Sequence, residues 1–241
     1  NNGEGSGGFN VRGGAVDQNL VLLDEAIIYN TSHLLGFFSV FNADAIKDIK
    51  LYKGGIPAKF GGRVSSVLDV RQKDGNNQEF HLTGGLGTIS SRLAAEGPLF
   101  NEKGSFLVAS RGSYAHLILK AAGEKNSANF YDLNLKSNYN IDETNNVFAN
   151  IGYFSKAPFL TGNVFLSDRS TDLNADALNE KVFSNELGYG YRSAIFSANL
   201  NVYMTSWLDK SLTGSEQNPI PGGDRLVYNI PGLDALHQGI E

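Results

Sequence analysis

The sequence predicts a mainly β protein in two parts: a small, loop-rich α+β unit over residues 1–75, then an antiparallel, barrel-type sheet of about eight strands over residues 76–241. Two observations carry this. Convincing helix signals are nearly absent, and from Gln78 onward long stretches alternate apolar and polar residues with the period of two that a half-buried strand requires. A third sets the hairpin rhythm: short polar turns alternate with long polar loops.

In chain order, LVLLDEAIIY (20–29) reads as two short strands broken at Asp24 and Glu25. NADAIKDI (42–49) is the best helix candidate, one or two turns, because Asn42 can cap and Ala43, Ile46 and Ile49 fall roughly on one face. DIKLYKGG (48–55) returns to strand, and the glycine-rich tract YKGGIPAKFGGRVSSVLDV (52–70) follows. Gly54, Gly55, Gly61 and Gly62 suit a tightly looped surface better than a regular element.

In the second part, SRLAAEGPLF (91–100) sets Leu93, Ala95 and Leu99 against Arg92 and Glu96. LNLKSNYNI (133–141) opposes Leu133, Leu135, Tyr139 and Ile141 to Asn134, Lys136, Asn138 and Asn140. FSANLNVYMT (196–205) opposes Phe196, Ala198, Leu200, Val202 and Met204 to the polar residues between them. Early strands span about 78–155 and late strands about 183–241, with short turns at Asn101–Gly104 and Asp142–Asn146 and long loops at Thr161–Glu180 and Asp209–Arg225. Strands of this length fit a transmembrane barrel with its apolar face on lipid, and alternation alone fits a soluble antiparallel sheet equally well. Tyr189, Tyr191, Tyr203 and Trp207 lie near strand ends, where an interfacial aromatic girdle would place them.

Composition narrows the function. A net charge of −5 with no basic stripe argues against nucleic acid as a partner. The absence of cysteine excludes a disulfide framework, thiolate catalysis and Cys-ligated metal sites. NNGEGSGGFN has neither the basic start nor the apolar run of a signal peptide, and no stretch approaches the ~20 apolar residues of a membrane-spanning helix, so a membrane role would require a barrel.

Catalytic patterns are missing. His33, His81, His116 and His237 are scattered without metal-ligand spacing, and no nucleophile elbow appears. GGLG (84–87) and GGFNVRGG (7–14) do not join a strand to a helix as a phosphate loop does, and DRSTDLNAD (168–176) lacks calcium-loop spacing. No enzyme, cofactor or metal is expected.

Three ordered segments, NVRGG (10–14), NLVLLDEAIIYN (19–30) and GFFSVFNADAIKDIKLYKGGIPAKFGGRVSSVLDV (36–70), resemble the later half of the plug domain of TonB-dependent outer-membrane receptors. GGLGTISSRLAAEGPL (84–99) and FYDLNLKSNYNI (130–141) resemble early barrel strands of that family. SKAPFLTGNVF (155–165), NEKVFSNELGYGYRS (179–193) and IPGLDALHQGIE (230–241) resemble segments near the barrel's end. Family turns of the LLDEAI kind usually carry glycine where Glu25 stands.

The resemblance implies a plug remnant at 1–75 and a partial barrel at 76–241, in which early and late segments abut near Val147–Pro158. Plugged transporters have roughly 22 strands, whereas residues 76–241 suffice for about eight of ~10 residues. The energy-coupling segment, the first half of the plug and the terminal aromatic of such barrels are also missing, so a fragment or a barrel lacking its middle is expected.

The implied function is active nutrient uptake of an iron chelate, vitamin or oligosaccharide. The implied partners are the TonB energy-coupling protein, the outer membrane of a Gram-negative cell and, as a candidate, a surface lipoprotein. The plug motif carries over to Gly13, Gly14, Asp24, Gly54, Pro57, Gly61 and Gly62. A charged lock between plug and wall carries over to Arg12 and Lys53 on one side and Glu186 and Glu241 on the other, with Lys53 weaker because an ammonium lacks the guanidinium fork. A structural or adhesive glycan-binding β domain without transport is the alternative.

Overall fold

The computed structural model describes residues 8–24, 26–28, 32–33, 38–121, 123, 129–157, 178–220 and 226–240. The chain divides into two compact units, Asn1–Asp74 and Gly75–Glu241.

The first unit is built on a four-stranded mixed sheet, β2-β1-β6-β5, from β1 (Asn19–Leu23), β2 (Ala26–Ile27), β5 (Ile46–Tyr52) and β6 (Ser66–Gln72). A separate two-stranded ladder pairs β3 (Ser32–His33) with β4 (Phe38–Ser39). The central strands β1 and β6 run parallel, Asn19↔Ser66 through Leu23↔Val70. Their sequences, NLVLL and SVLDVRQ, are rich in the Val and Leu that suit burial on both faces. Leu20, Leu22 and Val67 form the core, and Tyr52, Ile56 and Phe60 pack against it.

The best helix candidate is corrected here. Only Ala43–Ala45 forms a 3₁₀ turn, with the Asn42 side chain accepting from the Asp44 N–H at 3.2 Å, and the chain then enters β5. Beyond Ala45 the antiparallel ladder to β6, Ile46↔Gln72 through Tyr52↔Val67, claims the backbone donors a longer helix would have used.

The second unit is one antiparallel meander in strict sequence order. Its strands are β7 (His81–Leu86), β8 (Ser90–Leu99), β9 (Gly104–Ser113), β10 (Tyr131–Asn140), β11 (Asn145–Lys156), β12 (Glu180–Arg192), β13 (Ser197–Glu216) and β14 (Leu226–Ile240). Among the described residues the sheet is open, with β7 and β14 at its edges. The β11–β12 ladder runs from Asn145↔Tyr191 to Lys156↔Glu180, so the sheet is continuous at the place where early and late segments were expected to meet.

Two departures from the sequence reading appear in this unit. The supposed loop at 209–225 is strand as far as Glu216, paired with β14 from Lys210↔Leu233 to Glu216↔Leu226. This ribbon continues past the last β12 pair, Lys181↔Leu208, and a two-stranded ribbon outside a sheet needs no apolar face, so its polar sequence read as loop. A seven-residue helix, α1 (Ala115–Ala121), was also unforeseen; its signal was Ser113, whose Oγ accepts from the Ala115 N–H at 3.2 Å. Of the expected loop Thr161–Glu180, residues 161–177 lie outside the described ones, and Glu180 begins β12.

Candidate functional site

Through the middle strands of the eight-stranded sheet the polar face is the more buried and the apolar face the more exposed, while β7 is exposed on both faces. Along β10, Asp132, Asn134 and Lys136 are buried while Tyr131, Leu133 and Leu135 are exposed. The registers carry this division across the sheet. Leu133 and Leu135 share a face with Leu93 of β8, Ile151 of β11, Leu187 and Tyr189 of β12, and Leu200 and Val202 of β13, all of them exposed. Half-buried sheets in water usually have the opposite arrangement, with the apolar face inward.

On the polar face two ion pairs are largely buried. Arg111 donates from Nε to Asp132 Oδ2 at 3.0 Å and makes a second bond through Nη2, and its guanidinium lies 5.2 Å from the Phe130 ring centroid. Lys156 Nζ lies 2.7 Å from Glu180 Oε2, and the other oxygen of Glu180 accepts from the Ser211 N–H at 3.4 Å. Such pairs are nearly out of water, with side-chain exposures of 11% and 0% for the first and 14% and 5% for the second. A charge buried this far is tolerated only when paired and hydrogen-bonded, so the pairs fix geometry more than they add stability.

Glycines on the same face make room for rings. A Cβ on Gly188 would strike the Phe148 ring, one on Gly152 the Phe154 ring at 2.6 Å, and one on Gly239 the Tyr203 hydroxyl at 2.6 Å. This corrects part of the girdle expectation. Tyr203 pairs with Glu186 and Trp207 with Val182, which places both on the polar face, whereas Tyr189 and Tyr191 do sit on the apolar one. Tyr131, Tyr139 and Tyr153 join them there.

In the first unit, the RGG motif is a two-residue turn. The Gly14 N–H donates to the Val11 carbonyl at 2.9 Å, and both central residues have positive φ, +48° at Arg12 and +79° at Gly13. Glycine accepts that conformation freely, but for arginine it costs roughly 1–2 kcal/mol. Gly14 is glycine for a different reason: an added Cβ would meet the Ser65 Cβ at 2.7 Å, and Ser65 Oγ donates to the Val11 carbonyl at 2.8 Å.

The exposed Arg12 side chain lies over Gly54, where a Cβ would stand 2.8 Å from its Nη1. The structure thus brings Arg12 to the YKGG segment, where Lys53 is also exposed. Asp24, at φ +47°, accepts from the Gln72 N–H at 2.9 Å and donates its own N–H to the Val70 carbonyl at 2.9 Å, tying the first strand turn to the end of β6. Ile56 and Phe60 pin the glycine-rich tract to the core, with a Pro57 carbonyl turn to the Phe60 N–H at 3.0 Å. Gly62 has φ +81°, and a Cβ at Gly61 would meet open space.

Glu186 is half-buried on the polar face of β12, where Oε2 accepts from Asn150 Nδ2 at 2.8 Å. Glu241 lies outside the described residues. The sequence reading passed over Arg111, Asp132, Lys156 and Glu180; their signal was a charged residue at the polar position of an alternating strand. Among the described residues, no group of three or more His, Asp or Glu side chains is gathered to hold a metal ion.

No protein-family model matches the chain, and no curated protein matches it. Among solved structures, the crystal structure of the siderophore receptor PirA from Acinetobacter baumannii aligns with 98% of this chain at a TM-score of 0.61 and 15% identity. The likeness is one of fold. The chain spans 40% of that receptor chain, so the shared architecture is a part of a larger one. No helix of the described residues is long and apolar enough to cross a membrane, which leaves crossing by strands untouched.

Proposed function

We propose that this chain is part of a TonB-dependent outer-membrane receptor that takes up a scarce nutrient, with residues 1–75 as plug and 76–241 as barrel wall. The observation that carries the reading is the burial of Asp132, Asn134 and Lys136 beside the exposure of Leu133 and Leu135, with exposed apolar residues continuing on the same face through Leu93, Ile151, Leu187 and Leu200. A sheet of this kind has a lipid side and a polar side, and the polar side here carries the Arg111–Asp132, Lys156–Glu180 and Asn150–Glu186 contacts, the first two nearly out of water. Likeness in fold to a siderophore receptor makes iron chelates the first ligands to try.

In this reading the protein binds and translocates its ligand without making or breaking bonds, driven by the energy-coupling partner. Arg12 and Lys53 are the basic members, and Glu186 and Glu241 the acidic members, of a charged lock that holds the plug yet yields at low cost, since ion pairs in a wet lumen are weak.

The test is uptake. Cells with the full-length gene deleted should lose growth on one class of chelate, vitamin or oligosaccharide, Arg12→Glu should impair growth on it, and adding Glu186→Arg should partly restore it. Unchanged growth on every class, with the protein recovered in the soluble fraction, would overturn the reading. Equal impairment in the single and double variants would remove the lock alone.

A further inference from the structure

On its late strands the polar face changes character, from buried ion pairs to aromatic rings with uncharged polar groups between them. Tyr203 and Trp207 lie on this face of β13, opposite Glu186 and Val182 of β12. The row between them is Ser184, Thr205 and His237, from three neighbouring strands. Tyr203, Trp207, Thr205 and Ser184 are half-buried, and His237 is exposed.

The Tyr203 ring is laid over Gly239: a Cβ there would stand 2.6 Å from the hydroxyl, 2.7 Å from Cζ and 2.9 Å from Cε1. One face of the ring is thus held against the sheet and the other is turned away from it. The Trp207 ring has Lys210 Nζ 5.5 Å from its centroid. At the rise of a strand the two aromatic positions are about 13 Å apart. Two hydroxyls and an imidazole, each able to donate or accept, occupy the interval.

Charge decides what such a surface takes. Among the residues paired with Tyr203, Thr205 and Trp207, Glu186 is the one carboxylate and none is lysine or arginine. The exposed ammonium of Lys210 offsets Glu186 and leaves the surface near neutral. Other cations of this face are committed or covered, Arg111 by Asp132, Lys156 by Glu180, and Lys136 by burial. An anionic chelate would meet Glu186 with like charge and find no arginine fork to receive it. A neutral ligand with flat C–H faces and a rim of hydroxyls matches both features, because its faces stack on the rings and its hydroxyls bond to the groups between them.

We propose that Tyr203, Trp207, Ser184, Thr205 and His237 bind a neutral oligosaccharide, with sugar rings stacked on the two aromatic rings and sugar hydroxyls bonded to the side chains between them. A monosaccharide engages one ring, and an oligomer both. The proposal rests on the reading of the chain as part of an uptake receptor and selects the ligand class within it.

Isothermal titration calorimetry of the full-length protein in detergent tests it, with maltohexaose, cellohexaose, mannohexaose and xylohexaose as neutral probes and ferric citrate as the anionic one. At least one hexasaccharide should bind, and ferric citrate should not. Trp207→Ala and Tyr203→Ala should each weaken that binding about tenfold, the scale of one aromatic anchor. Trp207→Phe and Tyr203→Phe keep a ring and should lose less than the alanine variants, which separates lost stacking from a lost fold. Binding of none of the hexasaccharides, tighter binding of ferric citrate, or an affinity unchanged in both alanine variants would overturn the proposal. Gene-dependent uptake of ferric citrate alone would also overturn it while leaving the uptake reading intact. A protein recovered in the soluble fraction and dispensable for growth on every nutrient class would instead refute the uptake reading beneath it.

Discussion

Replacing Leu187 with arginine separates a lipid-facing sheet from a soluble one, because the two environments assign opposite consequences to the same exposed side chain. Leu187 is 62% exposed at the middle of β12, opposite Ala149 on one side and Val202 on the other. If water covers this face, an exposed Leu→Arg change lies within about 0.5 kcal/mol of neutral. If hydrocarbon covers it, arginine near the bilayer midplane costs about 2–4 kcal/mol, falling to about 0–1 kcal/mol at the interface. Leu200 supplies the internal comparison: it shares the face and lies opposite Tyr189, nearer the short-turn end of the sheet, so Leu200→Arg should cost less than Leu187→Arg. Urea unfolding from lipid vesicles, followed by tryptophan fluorescence, measures both. A Leu187→Arg effect within 0.5 kcal/mol in vesicles, or equal effects at the two positions, would refute the reasoning.

Other expectations concern turns and glycines of the second unit. Gly188→Ala should cost about 1–3 kcal/mol by displacing the Phe148 ring, with part of the loss recovered when Phe148→Leu is added; urea unfolding reads both. Phe100, Asn101 and Glu102 hold φ values of +52°, +55° and +68° in succession, so Glu102→Gly should stabilise the β8–β9 turn by about 1 kcal/mol in the same assay. Asp142 accepts from the Asn145 side chain and from the Thr144 N–H and hydroxyl, each at 2.8 Å, which lowers its pKa to about 2. Because the folded value lies below the ordinary aspartate value of 3.8, this turn's contribution is complete above that pH and is lost as pH falls through about 2. Carboxyl NMR should show Asp142 titrating near 2, and titration near the ordinary carboxylate value would show the turn to be open.

What the sequence made legible follows from periodicity. Alternation over Leu133–Asn140 and Ala198–Thr205 located strands and divided each into two faces correctly, because side chains on opposite sides of a strand cannot be exchanged without a register slip. Helical pattern misled at Ala43–Ile49, where Ile46 and Ile49 satisfy a helix stripe and a ladder alike; pairing with β6 decides, and pairing is not a local property. The ribbon beyond Leu208 was invisible for the complementary reason: a strand outside the sheet has no face to bury and so no alternation to read.

The motif glycines divide the same way. Gly13 needs its left-handed φ, which the turn-forming string NVRGG announces locally. Gly14 is small because Ser65 comes close to it from a distant part of the chain, and nothing in its own neighbourhood states that. The polar face shows the largest gap. Arg111 and Asp132 are separated by the end of β9, helix α1 and the start of β10, and only the Asp132↔Arg111 register makes them neighbours. Their burial carries more weight than their pairing, because alternation is unchanged when the inside and outside of a sheet are exchanged. The order in which the faces are buried is set by curvature and surroundings, and here it places two ion pairs inward and a band of leucines outward.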